Sequence, residues 1–281
     1  MRSNAVLWKS IIMSLPIIAL VSCQKMDKPE LGDYPQAEDV IPATPLRFFV
    51  SFDSTSAADA QLNIRFKDSI SGYPSFFPNN SLTAIPGING TAYQGNKENN
   101  LTYLSANDFA KSTSLTVAFW MKHDGAPVGD AEFFMSFPSG QGHWSNAGML
   151  LILDHTGAGT TDDDAVIKFM VSEVGNGDHW FELTGANRMP GILDNQWHHL
   201  AFAYDETTSE MKFYKDGQLW STQSWAGHGP IKFDHTNFGG FYLGGKTTDW
   251  GKAYNGALDQ FRLYNTALSA GEISTLFTNK L

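Results

Sequence analysis

From about Leu46 onward the chain is a succession of short β-branched and aromatic runs separated by turn residues. In Ser114–Lys122, Thr116, Ala118 and Trp120 fall on one face by period-two alternation. Comparable runs cover 131–137, 148–154, 165–174, 179–184, 197–204, 210–215, 218–224, 239–244 and 257–264. Between them lie Pro138-Ser139-Gly140, Gly157-Ala158-Gly159, Gly175-Asn176-Gly177 and Pro190-Gly191. Lys215-Asp216-Gly217 predicts a tight hairpin, because Asp-Gly tolerates the positive φ angles of a type I′ turn. This spacing of roughly 8–12 residues predicts an all-β, two-sheet antiparallel sandwich or jelly roll. One helix is expected, at the C-terminus. Ser269-Ala270-Gly271-Glu272 reads as a capping box, and Ile273, Leu276 and Phe277 follow as an apolar stripe. No repeat and no Pro- or Gly-rich break divides residues 47–281, which predicts one domain.

The sequence ahead of that domain reads as an address. Arg2 and Lys9 supply a positive n-region, and Ile11–Val21 an apolar h-region, so residues 1–22 are expected to be a secretory signal. A helix of about a dozen residues is roughly 18 Å long, short of the ~30 Å hydrocarbon core. The run ends Leu20-Val21-Ser22-Cys23, which resembles a bacterial lipobox and makes Cys23 the expected lipidation site. Several acyl chains on one cysteine anchor a domain stably, at about 0.8 kcal/mol per buried CH2. Gln24 rather than Asp follows it, which in lipoproteins of this kind does not favour retention at the inner membrane. The expectation is an outer-membrane or cell-surface protein that touches the membrane through its lipid alone. Residues 23–46, with Pro29, Pro35, Pro42 and Pro45 among charged and amide residues, read as a tether.

Composition narrows the function classes. Cys23 is the single cysteine, which excludes disulfides within the chain, zinc ribbons and iron–sulfur ligation. Hydrophobic residues make up 42% and charged residues 17%, enough to bury a substantial core. Lys plus Arg number 19 against 29 Asp plus Glu, for a net charge of -10. Removing residues 1–22 takes away two cations and no acids and leaves -12. That balance argues against nucleic acid as a partner.

Several stretches together resemble the concanavalin A-like lectin/glucanase superfamily, specifically its laminin-G-like jelly rolls. Phe52-Asp53, Lys67–Gly72 and Asn100–Leu104 are similar to the family's early strands. Gln196-Trp197-His198-His199 running to Asp205, with Phe213–Gly217, is close to its most recognisable motif. Asn255–Asn265 with Ala267–Ile273 looks like the closing strand and helix, and residues 125–195 depart most in length and loop content. The resemblance implies a jelly-roll sandwich. It leaves function open among glycan binding, glycoside hydrolysis or polysaccharide lysis, and adhesion.

Glycoside hydrolysis needs two carboxyl groups across one bond. Enzymes of this fold show a clustered Glu-x-Asp-x-x-Glu, and this chain has none. Glu173, Asp178 and Glu182 read as solvated hairpin charges. Trp-His-His belongs to the family's strand motif, and neighbours on a strand point to opposite faces, so His198 and His199 are expected to pack rather than to share an ion.

The resemblance also implies a structural Ca2+ joining the first strand to the last, with Asp53, Asp259 and Asp68 as candidate ligands. A salt bridge to Arg262 or Lys67, or a turn-capping role, is the alternative for these carboxylates. Asp162-Asp163-Asp164 reads as a solvated turn, with a ligand-bridging calcium as its second reading.

Sugar rings offer apolar C–H faces and hydroxyls, so their sites pair flat aromatics with polar groups. Trp120 and Trp197 lie in apolar runs and read as core. Trp144, Trp180, Trp225 and Trp250 sit beside Gly, His, Asn and Asp in loops. Trp144 and Trp250 are expected to lead a carbohydrate site, with His143, Asn146 and Asp249 as polar partners, and Trp180 and Trp225 as further candidates. The leading expectation is a lipid-anchored protein that captures poly- or oligosaccharide at the envelope. A glycoside hydrolase or lyase, and a protein-binding envelope component, are the alternatives.

Overall fold

The alternating runs form strands, as their period requires. The computed structural model of the chain describes residues 42–53, 66–75, 83–139, 147–233, 240–246 and 248–280. It opens with β1 (Leu46–Val50), β2 (Thr83–Pro86), β3 (Thr91–Gln94) and β4 (Leu101–Tyr103). The long apolar runs give β5 (Leu115–Lys122), β6 (Glu132–Pro138), β7 (Ala147–Leu153), the short β8 (Asp164–Ala165), β9 (Ile167–Glu173) and β10 (Gly177–Leu183). Then come β11 (Met189–Pro190), β12 (His198–Asp205), β13 (Glu210–Lys215), β14 (Gln218–Ser224), β15 (Phe241–Leu243), β16 (Lys252–Ala253) and β17 (Ala257–Tyr264). Helix α1 (Ala270–Thr278) follows.

Two sheets face each other. The first runs β14-β13-β12-β5-β17-β3-β2, with β1 also paired to β17. The second runs β10-β9-β7-β6-β15-β4, with β16 alongside β6. Every long pairing is antiparallel, and the arrangement is consistent with the expected jelly roll. The predicted hairpin joins β13 to β14, with Asp216 at φ 49° and Gly217 at φ 75°, the two positive values its type demands.

Alternation decides what each face does. Leu115, Val117, Phe119 and Met121 of β5 point between the sheets, against Met149, Leu151 and Leu153 of β7 and Ile167, Phe169 and Val171 of β9. Each such side chain contributes about 1.5–3 kcal/mol on full burial. The opposite face of the first sheet carries small residues, Ala118, Ala201 and Ala203, which leave room for Ile273 of α1. The predicted capping box is present: Glu272 N donates to Ser269 Oγ, and Ser269 N donates to Glu272 Oε2 at 2.7 Å. Trp120 is buried under this helix, its ring stacked on Phe277 at 5.5 Å, rather than between the sheets.

Candidate functional site

The outer face of the second sheet is built differently. Phe133, Leu150, Ile152 and Met170 form an apolar cluster there, with Trp180 and Trp250 packed against it. The register of β7, β9 and β10 sets two rows across this face. One row is Leu150, Met170 and Trp180; the next is Ile152, Lys168 and Glu182. Ile152, Asp154, Lys168, Trp180, Glu182 and Trp250 line an open groove of about 480 Å³.

Each wall is held from behind. Trp180 Nε1 donates to Asp178 Oδ2 at 2.7 Å, a contact that follows from i and i+2 sharing one strand face. Trp250 comes from the loop before β16, and its ring meets Phe133 at 4.9 Å. Its carbonyl accepts from Lys246 Nζ at 3.1 Å and Thr248 Oγ1 at 2.7 Å, which fixes the loop. Both tryptophans are half-buried, so each keeps part of its surface toward the groove.

The groove floor is ionic. Lys168 Nζ lies 2.9 Å from Asp154 Oδ2 and 3.3 Å from Glu182 Oε1. Burial disfavours the Lys168 ammonium, but the two carboxylates outweigh it and hold the pKa above the ordinary lysine value. Asp154 Oδ1 faces His155 Nδ1 at 3.0 Å, so both oxygens of Asp154 are engaged. β10 is an edge strand, and at Glu182 its free backbone edge is completed by a side chain. Glu182 N donates to Gln223 Oε1 at 2.9 Å, and Gln223 Nε2 donates back to the Glu182 carbonyl. The arrangement offers flat apolar rings beside hydrogen-bonding acceptors and one ammonium.

Of the expected carbohydrate residues, the structure brings Trp180 and Trp250 together. Asp249 is exposed next to Trp250 and is not among the groove residues. His143, Trp144 and Asn146 lie outside the described residues, as does Cys23. Trp225 is elsewhere. Its ring is stacked between His179, at 4.1 Å, and His228, at 3.4 Å, which leaves neither face open to a sugar. Trp197 is half-buried just before β12, not fully enclosed as a core residue would be.

Glu173 departs from the reading as a solvated charge. It is buried and accepts from Asn176 Nδ2, His228 Nε2 and Lys232 N. Burial opposes its ionisation, yet these donors hold its carboxyl below the usual range. Glu182 is exposed, as a solvated charge is, and it also lines the groove. Lys168, Asp154 and Ile152 were not anticipated as site residues. The only signal for them is outward alternation on three strands, which has no meaning until register is known. The two histidines split across the sheet as expected. His198 bridges Asp216 and Asp194, and His199 is buried beside Trp120.

The calcium candidates divide. Asp68 accepts from Phe49 N, Ile70 N, Ser71 N, Ser71 Oγ and Asn107 Nδ2, the turn-capping alternative in full. Asp53 and Asp259 instead converge on the turn between β2 and β3. Asp259 Oδ2 accepts from Ile88 N at 2.7 Å, and Asp53 Oδ1 from Thr91 N at 3.3 Å. A Cβ at Gly87 would overlap the first carboxylate and one at Gly90 the second, so both glycines are required for this approach. Gln260, at φ 48° in the β17 bulge, follows Asp259 directly. Asp259 is fully buried, and burial pushes its pKa up to about 7, with the Asp53 charge adding to the rise. Among the described residues no hydrogen bond of ordinary geometry reaches its Oδ1, although the Gln260 and Asn89 backbone amides, with Ile88 N, act on the carboxylate and oppose the rise. Arg262 does not pair with it but turns to Gln260 and lies over the Phe49 ring. The described residues contain no group of three or more His, Cys, Asp or Glu placed to hold a metal. Asp162 and Asp164 are engaged in structure, by Ala126 N and Arg188.

Residues 95–274 match a laminin G model described as the concanavalin A-like lectin/glucanases superfamily. No curated protein matches the sequence. Among solved structures, domain 4 of AbnA, an extracellular arabinanase from Geobacillus stearothermophilus in complex with arabinotriose, is 18% identical with a TM-score of 0.54. That match covers 82% of this chain and 97% of that domain. The botulinum neurotoxin type G receptor binding domain is 13% identical, with a TM-score of 0.56 over 84% of this chain and 51% of its own. The serotype D ligand binding domain, in complex with N-acetylneuraminic acid, is 14% identical, with a TM-score of 0.54 over 83% and 50%. The chain spans about half the length of those neurotoxin domains. At such identities the likeness is one of fold.

Proposed function

The chain belongs to the concanavalin A-like lectin/glucanases superfamily, and on that premise we propose that its jelly-roll domain is a carbohydrate-binding module, held at the outer bacterial envelope by lipid on Cys23. The observation that carries this reading is the groove between Trp180 and Trp250. A sugar ring lays its C–H face on an indole, worth on the order of 1 kcal/mol beyond burial. Its hydroxyls donate to Asp154 and Glu182 and accept from Lys168. Neighbours of the same fold have been solved with arabinotriose and with N-acetylneuraminic acid, which supports a glycan as the ligand class. The lipobox-like Leu20–Cys23 and the proline-rich tether support the location. A glycan array probed with the mature chain and with a Trp180→Ala/Trp250→Ala variant tests the reading. Binding that the double substitution removes is expected; equal binding by both proteins refutes it.

Calcium is part of the proposal. Asp53 and Asp259 would hold the ion, and the fit rests on the buried Asp259 Oδ1 beside a second carboxylate. A hard cation there supplies positive charge where burial otherwise penalises Asp259.

The hydrolase alternative draws on the same groove, since Asp154 and Glu182 share it. Both carboxylates accept from Lys168, an arrangement suited to holding hydroxyls rather than to donating a proton to a glycosidic oxygen. Reducing-end release from a polysaccharide panel would reverse the preference.

A further inference from the structure

Among the described residues the groove lining is net acidic, with two carboxylates, Asp154 and Glu182, against one ammonium, Lys168. That ammonium is already compensated inside the cluster, at 2.9 Å and 3.3 Å from the two acids. The cations flanking Trp250 are engaged as well. Lys246 Nζ donates to the Trp250 carbonyl, and Lys252 Nζ lies 2.9 Å from Asp130 Oδ2. Asp178 adds another acid beside the Trp180 indole.

A sugar carboxylate entering this groove therefore meets acids, with no spare cation among the described residues that line it. It must either pull Lys168 from an existing partner or sit beside Glu182 uncompensated. Two like charges about 5 Å apart repel enough to weaken binding roughly fourfold in a water-like medium, and a hundredfold or more in a partly desolvated one. A sugar ammonium has the opposite effect, because it neutralises the surplus acid. The two acids differ in freedom. The Asp154 side chain is 9% exposed and engaged at both oxygens, whereas that of Glu182 is 42% exposed. Glu182 is the acid an incoming substituent meets.

Resting on the reading of this groove as a carbohydrate site, we propose that it sorts glycans by charge: it takes neutral and amine-bearing sugars and turns away uronates and sialates, with Glu182 as the discriminating residue. The test titrates the mature chain at low ionic strength with matched tetrasaccharides in the gluco, galacto and manno series. Each series has a neutral, a 2-amino and a 6-carboxyl member. In the series that binds, the carboxyl member is expected to be at least about tenfold weaker than the neutral one, and the amino member at least as tight. The gap should narrow as salt is raised, because screening shortens the reach of exposed charges. Glu182→Gln should shrink the carboxyl-to-neutral ratio several-fold, and that ratio, not either affinity, is the readout. Carboxyl binding equal to or tighter than neutral, still dependent on Trp180 and Trp250, overturns the charge sorting and leaves the groove as a glycan site. Failure of every series, or binding indifferent to both tryptophans, overturns the carbohydrate reading and the sorting with it.

Discussion

Gln223 reaches from the edge of one sheet to the edge of the other and exchanges two hydrogen bonds with the backbone of Glu182. Its amide stands in for the next strand that β10 lacks, and it sets the backbone from which Glu182 enters the groove. Gln223→Ala is expected to lower stability by about 1–2 kcal/mol, the net worth of two such bonds. It should also weaken glycan binding several-fold, although Gln223 is not a lining residue. Urea unfolding alongside glycan titration checks both effects. Unchanged binding would mean that Glu182 needs no such support.

The adjacent histidines predict opposite pH arms. His198 Nδ1 faces Asp216 at 2.9 Å and Nε2 faces Asp194 at 3.1 Å. Burial disfavours its charge, but the two carboxylates outweigh burial and raise its pKa above the ordinary 6.5. Its stabilising contribution is therefore full below pH 6.5 and lost as pH rises through the raised folded value. His199 runs the other way, since burial, assisted by the Arg262 charge, pushes it down to about 3. Below pH 6.5 the unfolded chain takes up a proton there that the fold refuses, so stability falls with acid. The slope from this group is at most about 1.4 kcal/mol per pH unit. His199→Leu should flatten the acid arm of a urea-midpoint profile, and His198→Gln the alkaline arm. Profiles parallel to the wild type would contradict these assignments.

Calcium should raise the thermal midpoint, and a chelator should lower it. A ligand at a hundred times its Kd stabilises a fold by about 2.7 kcal/mol. Asp259→Asn is expected to abolish the calcium response. Identical midpoints with calcium and with chelator remove the ion from the account.

Cys23→Ala should move the protein from the membrane fraction to the soluble one and end its labelling by a fatty-acid analogue. A membrane fraction of unchanged size would place the anchor elsewhere.

Much of the fold is legible locally. The run at Ser114–Lys122 becomes β5 almost residue for residue, and the Asp216-Gly217 turn and Ser269–Glu272 cap appear as written. Period, turn chemistry and caps are near-neighbour properties, so one sequence carries them. The groove is not of that kind. Ile152, Lys168 and Glu182 become one row only through the register of three strands, and alternation gives each a face but not a partner. Trp180 and Trp225 stand in similar polar contexts. Their fates differ because His228, which is local to Trp225, and His179, which is not, close over both faces of the Trp225 ring. The seats of Asp259 and Asp53 likewise depend on Gly87 and Gly90 respectively, each far from its carboxylate in sequence.

A sugar held between Trp180 and Trp250 would lose affinity with either ring, which calorimetric titration of the tightest array-selected oligosaccharide measures. Trp180→Ala and Trp250→Ala, each shown by circular dichroism to keep the fold, are expected to weaken binding at least about tenfold, some 1.4 kcal/mol. Trp225→Phe should leave affinity near the wild-type value. Wild-type affinity in both groove variants would mean that the sugar does not bind between these two rings.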